Sequence, residues 1–319
     1  MLTRGTLLYI GQRMLLILFT VIAVSGAVFA GMHSLPGDAF FSERIHSDEQ
    51  ERLLRAHYGM DKPLPVQYLN FITGALHGDF GESVINRGTK IGPLVAQEAV
   101  ISAEVGFTAL LFTVGLGMIF GVVAAVRQNS WVDYVLTTAS VVGYSMPSFV
   151  IGSFLLLLLG KFLFEWTHGA FYYVIGWDGR YGTFGQILVP AVALGFPYAS
   201  IVARLTRASM LEVIRQDYVR TARAKGLAEW VVIVRHALRN ALIPVTTILG
   251  PLVIGIVTGG VVIENLFGVP GLGKEFYTSI FNRDYNIVIA VFTIYAGLIG
   301  LANLAVDLTY TVIDPRIRY

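Results

Sequence analysis

The sequence predicts an all-α polytopic membrane protein with six transmembrane helices. Of its 319 residues, 55% are hydrophobic and 14% are charged, and the mean hydropathy of +0.66 is too high for a soluble chain. A bilayer core about 30 Å thick needs roughly 20 apolar residues per helix. Six charge-free windows approach or exceed that length: 14–32, 105–126, 134–160, 181–203, 240–263 and 285–306. None alternates as a membrane β-strand would.

The first window follows Arg4 and Arg13, an arrangement that secretory signal peptides share. Val28-Phe29-Ala30 would suit a signal peptidase, but the uncharged stretch of 19 residues is longer than the usual apolar core of about 7–15 residues. We therefore expect residues 1–33 to form an N-terminal cytoplasmic end and a retained first span.

Residues 34–98 form a polar segment between the first two spans, too small for an independent core. We expect this segment to be extracytoplasmic and to pack on the membrane face. Ser47 as N-cap and Gly59 as stop signal delimit one predicted helix. A second, at about 66–77, follows Pro65. Turns are predicted at 79–83 and 86–89.

Residues 99–313 are expected to form a transmembrane core of five helices. Small-residue pairs at Gly117 and Gly121 and at Gly255 and Gly259 predict close helix packing in lipid. Five prolines are expected to kink or break three of the spans. They are Pro147 in the third span, Pro190 and Pro197 in the fourth, and Pro244 and Pro251 in the fifth.

Orientation follows from the Lys and Arg residues near the span ends, which mark the cytoplasmic side. With six spans both termini share one side. That side holds more Lys and Arg, concentrated in the loop 204–239, whereas the opposite side has longer segments in which acids offset the bases. We therefore predict that both termini, the loop 204–239 and the tail 314–319 are cytoplasmic.

The loop 204–239 carries eight of the 23 Lys and Arg residues. Ser209 and Glu212 fit a capping box, which predicts that a helix starts there. An apolar stripe then recurs at helical spacing, and Arg215, Arg220 and Arg223 lie away from it. The stripe consists of Leu211, Ile214, Tyr218 and Ala222.

Gly226 is placed to end that helix in a left-handed conformation, and a second helix is expected from about Glu229. The resulting hairpin has small residues at its bend. Two interpretations are equally open from these residues alone. The basic hairpin either contacts anionic lipid headgroups or docks on a soluble partner protein.

A family resemblance favours docking. Arg220-Thr-Ala-Arg-Ala-Lys-Gly226 resembles the E-A-A-x-x-x-G loop of ABC-importer permeases, with a base at the glutamate position, as in the oligopeptide/dipeptide branch. Further motifs similar to that branch, and to its B-type subunit, occur in order along the chain. They are Leu35-Pro-Gly-Asp38, Gly78-Asp-Phe-Gly81, Tyr144-Ser-Met-Pro-Ser-Phe149, Ile263-Glu-Asn-Leu-Phe-Gly-Val-Pro-Gly-Leu-Gly273, Asn282-Arg-Asp-Tyr285 and Asp314-Pro-Arg-Ile-Arg-Tyr319.

The resemblance implies a type I ABC-importer fold in a bacterial inner membrane and the import of oligopeptides. Dipeptides, glutathione or nickel chelates are alternative substrates of similar permeases. The implied partners are a homologous C-type permease, two ATPase subunits that use ATP and Mg, an extracytoplasmic peptide-binding protein and membrane lipid. The implied ATPase-coupling loop consists of Asp217, Arg220, Thr221, Ala222, Arg223, Ala224, Lys225 and Gly226.

Other activities are disfavoured by missing motifs. The chain lacks G-x-x-x-x-G-K-[ST], so we expect no ATP site or other cofactor of its own. It has no H-E-x-x-H pair and no cysteine, so no metal site is predicted, and Ser145 has no evident partner base for proteolysis. The basic loop is short and tethered, which argues against nucleic-acid binding.

A proton-coupled secondary transporter is the less favoured alternative. Such carriers keep ionisable residues deep in the membrane, whereas Glu104, Asp133, Glu264 and Asp307 lie near predicted span ends. Glu264 is singled out because it precedes a glycine- and proline-rich outer loop. We hypothesise an outer gate or substrate path there, against the simpler role of a carboxylate that caps the loop. Its residues are Glu264, Asn265, Pro270, Gly271 and Gly273.

Overall fold

The computed structural model describes residues 4–35, 48–168, 177 and 182–313. Its α-helices are α1 (Arg4–Ser34), α2 (Asp48–His57), α3 (Leu64–Ala75), α4 (Ile91–Val126), α5 (Trp131–Ser145), α6 (Ser148–Leu157), α7 (Phe164–Trp166), α8 (Phe184–Ile214), α9 (Asp217–Ala224), α10 (Glu229–Val231), α11 (Arg239–Ala241), α12 (Ile243–Thr247), α13 (Leu249–Phe267), α14 (Leu272–Asn282) and α15 (Tyr285–Ile313). Two π-helical stretches, Leu158–Leu163 and Val232–Leu238, join some of them. The predicted motifs at Pro36–Asp38 and 314–319 and the predicted N-cap Ser47 lie outside the described residues.

The helices confirm the predicted all-α membrane architecture. Five of them, α1, α4, α8, α13 and α15, are long and apolar enough to cross a bilayer. The pair formed by α5 and α6 gives a sixth if it counts as one span, and it is bent by 107°. The bend lies at Met146, which is extended (φ −93°, ψ 127°) because the following Pro147 disfavours a helical conformation there. The predicted break at Pro147 is confirmed.

The other prolines divide into two groups. Pro190 and Pro197 lie inside the continuous helix α8, so the fourth span is not broken. Pro244 lies at the start of α12 and Pro251 in the first turn of α13, where a missing backbone N–H costs no helical hydrogen bond. The fifth span is therefore divided as expected.

The chain forms two compact units. The first comprises residues 1–102, 270–304 and 318–319, and its buried core unites α4, α14 and α15. That core consists of Ile91, Val95, Leu272, Ile287, Ala290 and Val291. Gly59 ends the turn after α2 with φ +67°, as predicted, and α3 includes Pro65 in its first turn. The buried Asp284 carboxylate accepts the Ser83 hydroxyl and so ties the polar segment to the start of α15.

The second unit comprises residues 103–269 and 305–317, with α8 at its centre. A Cβ added to Gly117 would lie 2.6 Å from Val202 Cβ, and one added to Gly121 would lie 2.5 Å from Thr206 Cβ. A Cβ on Gly255 would lie 2.5 Å from the Tyr198 hydroxyl. Only glycine permits these approaches of α4 and α13 to α8, so the predicted close packing is confirmed.

Candidate functional site

The loop 204–239 begins differently from the sequence prediction. Helix α8 runs without interruption to Ile214, and Ser209 is a buried residue inside it rather than an N-cap. The predicted capping box is therefore wrong. Met210, the next residue, is fully buried in a cluster with Ile233 and Ala237. Because this turn is buried, α8 continues through a segment whose local sequence alone would favour the start of a new helix.

The predicted apolar stripe is wrong for the same reason. Leu211 and Ile214 belong to α8, whereas Tyr218 and Ala222 belong to the separate helix α9. Helix α9 begins after Gln216, which is extended (φ −73°, ψ 149°). The four residues therefore do not line one helix face.

The bend after α9 agrees with the prediction. Gly226 has φ +76°, a left-handed conformation that glycine adopts without a steric penalty, and its N–H donates to the Arg223 carbonyl at 2.9 Å. A helix starts at Glu229 as expected, continues through the π-helical stretch Val232–Leu238 and ends with α11.

One face of α9 is packed within the second unit. Val219 and Ala222 are buried against Val232, and Val213 contacts the same cluster. Ala222 is 5% exposed, so it supports the helix from inside and cannot belong to a docking surface in this conformation. Helix α9 is thereby held against both the end of α8 and the helix that follows the bend.

The opposite face of α9 and the bend are exposed. Exposed residues of the predicted coupling loop are Asp217, Arg220, Thr221, Arg223, Ala224, Lys225 and Gly226. Arg220 lies 3.6 Å from the Asp217 carboxylate in the same turn region, a contact that solvent screens. The surface therefore combines basic side chains with a short stretch of small residues.

An ion pair bridges the bend. Arg223 donates from Nη2 to Glu229 Oε1 at 2.7 Å and from Nε to Oε2 at 3.2 Å. The hydrogen bond from Arg223 lowers the pKa of Glu229, and the same bond raises the pKa of Arg223. Both side chains are well exposed, so the pair contributes little to stability, but its two-pronged geometry fixes α9 relative to α10.

The predicted outer residues fall in two different units. Glu264, in the last turn of α13 and 2% exposed, and the half-buried Asn265 belong to the second unit. The Glu264 carbonyl accepts the Val269 N–H at 2.9 Å, and Gly268 is left-handed (φ +71°). This backbone geometry ends α13.

The remaining outer residues belong to the first unit. Pro270 is half-buried, Gly271 is the N-cap of α14, and Gly273 is buried in its first turn. The Leu272 N–H donates to the Ser102 hydroxyl at 2.9 Å. These contacts give the residues structural roles, and they do not test the gate hypothesis.

Sequence reasoning missed an ion pair between the buried Asp133 and the half-buried Arg207. Two hydrogen bonds of 2.7 Å join the guanidinium to the carboxylate. Ser130 and Asp133 have the spacing of a helix cap, and the Ser130 hydroxyl does accept the Asp133 N–H at 3.4 Å. That spacing is a local signal for the start of α5, but it gives no sign of the arginine partner, which lies 74 residues away.

Most of the chain matches one known protein family. Residues 117–319 match the family described as "Binding-protein-dependent transport system inner membrane component". The chain belongs to this family. The family confirms the expected fold, an all-α polytopic membrane protein of the type I importer class. The chain is therefore a multi-pass membrane protein.

Relatives of this inner membrane component match it over nearly its full length. It is 38% identical over 311 residues to the oligopeptide transport system permease protein OppB of Haemophilus influenzae, covering 98% of this chain and 99% of that protein. It is 38% identical to OppB of Escherichia coli over 95% of each chain. It is 37% identical to the dipeptide transport system permease protein DppB of Lactococcus lactis, covering 97% of this chain and 99% of that protein.

A solved structure is also similar. The crystal structure of an amino acid ABC transporter with histidines matches with a TM-score of 0.48 and 16% identity, over 70% of this chain and 94% of that one.

Within the described residues, no group of three or more His, Asp or Glu side chains could hold a metal ion.

Proposed function

We propose that the chain is the permease subunit of an ATP-driven importer of oligopeptides. The observation that carries this proposal is the 38% identity to oligopeptide permeases over 98% of the chain. Membrane-spanning helices supply the path, and the motifs Arg220–Gly226 and Ile263–Gly273 lie at the connections between spans where such a permease needs them.

In this proposal α9 and the bend form the coupling element. Their exposed face meets an ATPase subunit, while Val219 and Ala222 anchor α9 against its own unit. Because α8 enters α9 through two residues and the Arg223–Glu229 pair braces the exit, a push on α9 is passed to the spans. Movement between outward- and inward-facing states then follows from differential binding of ATP by the ATPase pair.

The complete importer contains several further subunits around this chain. A homologous C-type permease completes the path, two ATPase subunits use ATP and Mg, and an extracytoplasmic binding protein delivers the peptide. Membrane lipid surrounds the spans, and the outer arginines of the loop 204–239 contact its headgroups. Both termini and the loop are cytoplasmic, and this chain itself neither binds nor hydrolyses ATP. The proposed segments are the N-terminal end with the first span (1–33), the extracytoplasmic segment (34–98), the transmembrane core (99–313) and the cytoplasmic tail (314–319).

Dipeptide import is the second candidate substrate class. It is supported by the 37% identity to a dipeptide permease over 97% of the chain. Competition for uptake of a labelled pentapeptide by unlabelled dipeptides, tripeptides, glutathione and a nickel chelate would distinguish these substrates. Oligopeptide import predicts competition by tripeptides and longer peptides and little by the rest.

The proposal is tested by replacing Gly226 with Trp in the complete transporter. Gly226 has open space around it, so the bulky side chain should block the partner while leaving the packed face of α9 intact. Its positive φ strains any other residue at this position, and a control must share that strain. Gly88→Trp is the matched control, because Gly88 is also exposed, left-handed (φ +79°) and open.

We expect Gly226→Trp to abolish peptide uptake and co-purification of the ATPase subunits, with normal membrane insertion. Gly88→Trp should retain both. Uptake and ATPase association that survive Gly226→Trp would contradict the coupling role. An unmodified chain that purifies alone and transports by itself would instead support a proton-coupled carrier.

A further inference from the structure

Helices α5 and α8 are joined by an ion pair between Asp133 and Arg207. Arg207 Nε lies 2.7 Å from Asp133 Oδ1, and Arg207 Nη2 lies 2.7 Å from Oδ2. The Asp133 side chain is 4% exposed and that of Arg207 27% exposed. Two parallel charge-assisted hydrogen bonds fix both the distance and the relative orientation of their helices.

The Asp133 carboxylate is held from its own side as well. The Asn129 N–H donates to Oδ2 at 3.0 Å, and the Thr137 hydroxyl donates to Oδ1 at 3.2 Å. The carboxylate is therefore locked to the turn before α5 and to the next turn of α5. A force on Arg207 reaches the α5 backbone without first being absorbed by rotation of a loose side chain.

The same two helices meet again within the last turn of α5, just before the bend. A Cβ on Gly143 would lie 2.6 Å from Phe196 Cε1, and the Arg204 guanidinium lies 4.7 Å from the centre of the Tyr144 ring. Helix α5 is thus attached to α8 near its start and near its end. Two separated attachments prevent α5 from pivoting on α8 about a single contact.

The joined helices α8 and α5 connect α9 with the bend and with α6. Helix α8 continues from Arg207 to Ile214, so the ion pair is about 15 Å along the chain from the first residue of α9. Helix α5 leads directly into the 107° bend and α6. At α6, a Cβ on Gly152 would lie 2.8 Å from Leu266 Cδ2 of α13, so α6 packs closely on the fifth span.

We propose that Asp133 and Arg207 are positioning residues for transport, which make α5 and its bent partner α6 move as one body with α8 when α9 is displaced. This inference rests on the proposed function, because it needs an ATPase subunit to displace α9. Separating the ions would leave the Asp133 carboxylate, 4% exposed, with little water to solvate it, so the helices move together rather than slide.

The inference is tested in the complete transporter, reconstituted in lipid, by measuring peptide uptake and ATP hydrolysis together. Asp133→Asn removes the charge and keeps the shape, whereas Arg207→Lys keeps the charge and loses the paired geometry. Glu49→Gln is the control, because it breaks the exposed Glu49–Arg52 pair in another part of the chain.

We expect both variants to assemble and to hydrolyse ATP, with peptide uptake per ATP reduced about threefold to thirtyfold. The exchange Asp133→Arg with Arg207→Asp should restore part of that loss, and Glu49→Gln should change nothing. Unaltered uptake per ATP in both Asp133→Asn and Arg207→Lys would overturn the inference. An unmodified complex without ATP-dependent uptake would contradict the proposed function itself.

A distance measurement tests the inference with Asp133 and Arg207 unchanged, so it does not depend on how well a variant of either residue assembles. The chain has no cysteine, so spin labels can be placed at Val135 on α5 and Glu212 on α8, both of which are exposed. We expect the distance between the labels in the otherwise native complex to stay constant between nucleotide-free and ATP-trapped states. A distance that changes with nucleotide would show that α5 and α8 move independently and would also overturn the inference.

Discussion

At the scale of single residues, Arg207 shows how burial decides what a charge contributes. Its partner Asp133 is 4% exposed, so removal of the guanidinium leaves an almost dry carboxylate. Surface pairs such as Arg223 and Glu229 are exchanged for water contacts at little cost. Stability therefore depends far more on the pair of Asp133 and Arg207 than on the pair of Arg223 and Glu229.

Arg207→Met is expected to lower the free energy of unfolding by about 3 kcal/mol, because it leaves a buried, unpaired carboxylate. Thermal unfolding in detergent, followed by circular dichroism, measures the effect. Arg52→Met, which breaks the exposed pair with Glu49, should cost less than about 1 kcal/mol. Equal effects of the two changes would show that burial does not govern the Asp133 site.

Glu264→Gln tests the outer gate. If the buried carboxylate acts in the substrate path, its neutralisation should lower peptide uptake per ATP by about threefold or more, with ATPase association unchanged. Glu49→Gln serves as the control, because it neutralises an exposed acid of α2, outside the candidate spans. Normal transport and coupling in Glu264→Gln would leave only the capping role for this side chain.

At the scale of secondary structure elements, proline and glycine have effects that depend on position. Pro147 breaks the third span because the preceding Met146 is forced into an extended conformation. Pro190 and Pro197 do not break α8, which is surrounded by α4, α5 and α13. Glycines on α4 and α13 allow these helices to approach α8, so α8 is the element around which the second unit is packed.

Gly121→Ala is expected to destabilise the protein by about 1–3 kcal/mol, because the added methyl group overlaps α8. The new Cβ would lie 2.6 Å from the Ala203 carbonyl oxygen, a backbone atom that cannot turn aside. Gly115→Ala on the same helix has no neighbour within 4 Å and should be neutral or slightly stabilising. Thermal unfolding of the two variants in the same detergent provides the comparison. A loss as large in Gly115→Ala would contradict the packing argument.

At the scale of the whole molecule, the chain divides into two compact units that are not continuous in sequence. The first contains the polar segment together with α14 and most of α15. The second contains α5 to α13 and hence the entire loop 204–239. The residues implied in coupling therefore share one compact unit with the bent pair.

The predicted membrane orientation is tested with single cysteines in this cysteine-free chain. Lys225→Cys in the loop 204–239 and Lys62→Cys in the polar segment are both exposed positions. In vesicles that carry this chain without the ATPase subunits, a membrane-impermeant maleimide should label Lys62→Cys when the vesicles are right-side-out and Lys225→Cys when they are inside-out. The native chain should remain unlabelled. The reverse pattern would show that Lys and Arg near the span ends misled the assignment.

The sequence by itself determined the fold class, the positions of the spans, the break at Pro147 and the left-handed turn at Gly226. Each of these depends on residues that are neighbours in the chain, through hydrophobic runs and local backbone preferences. The tertiary structure alone decided where α8 ends, that Ala222 faces inward, and that Asp133 meets Arg207. Burial of Met210 against Ile233 and Ala237 outweighs the capping signal at Ser209, and an ion pair across 74 residues exists only once the helices have packed.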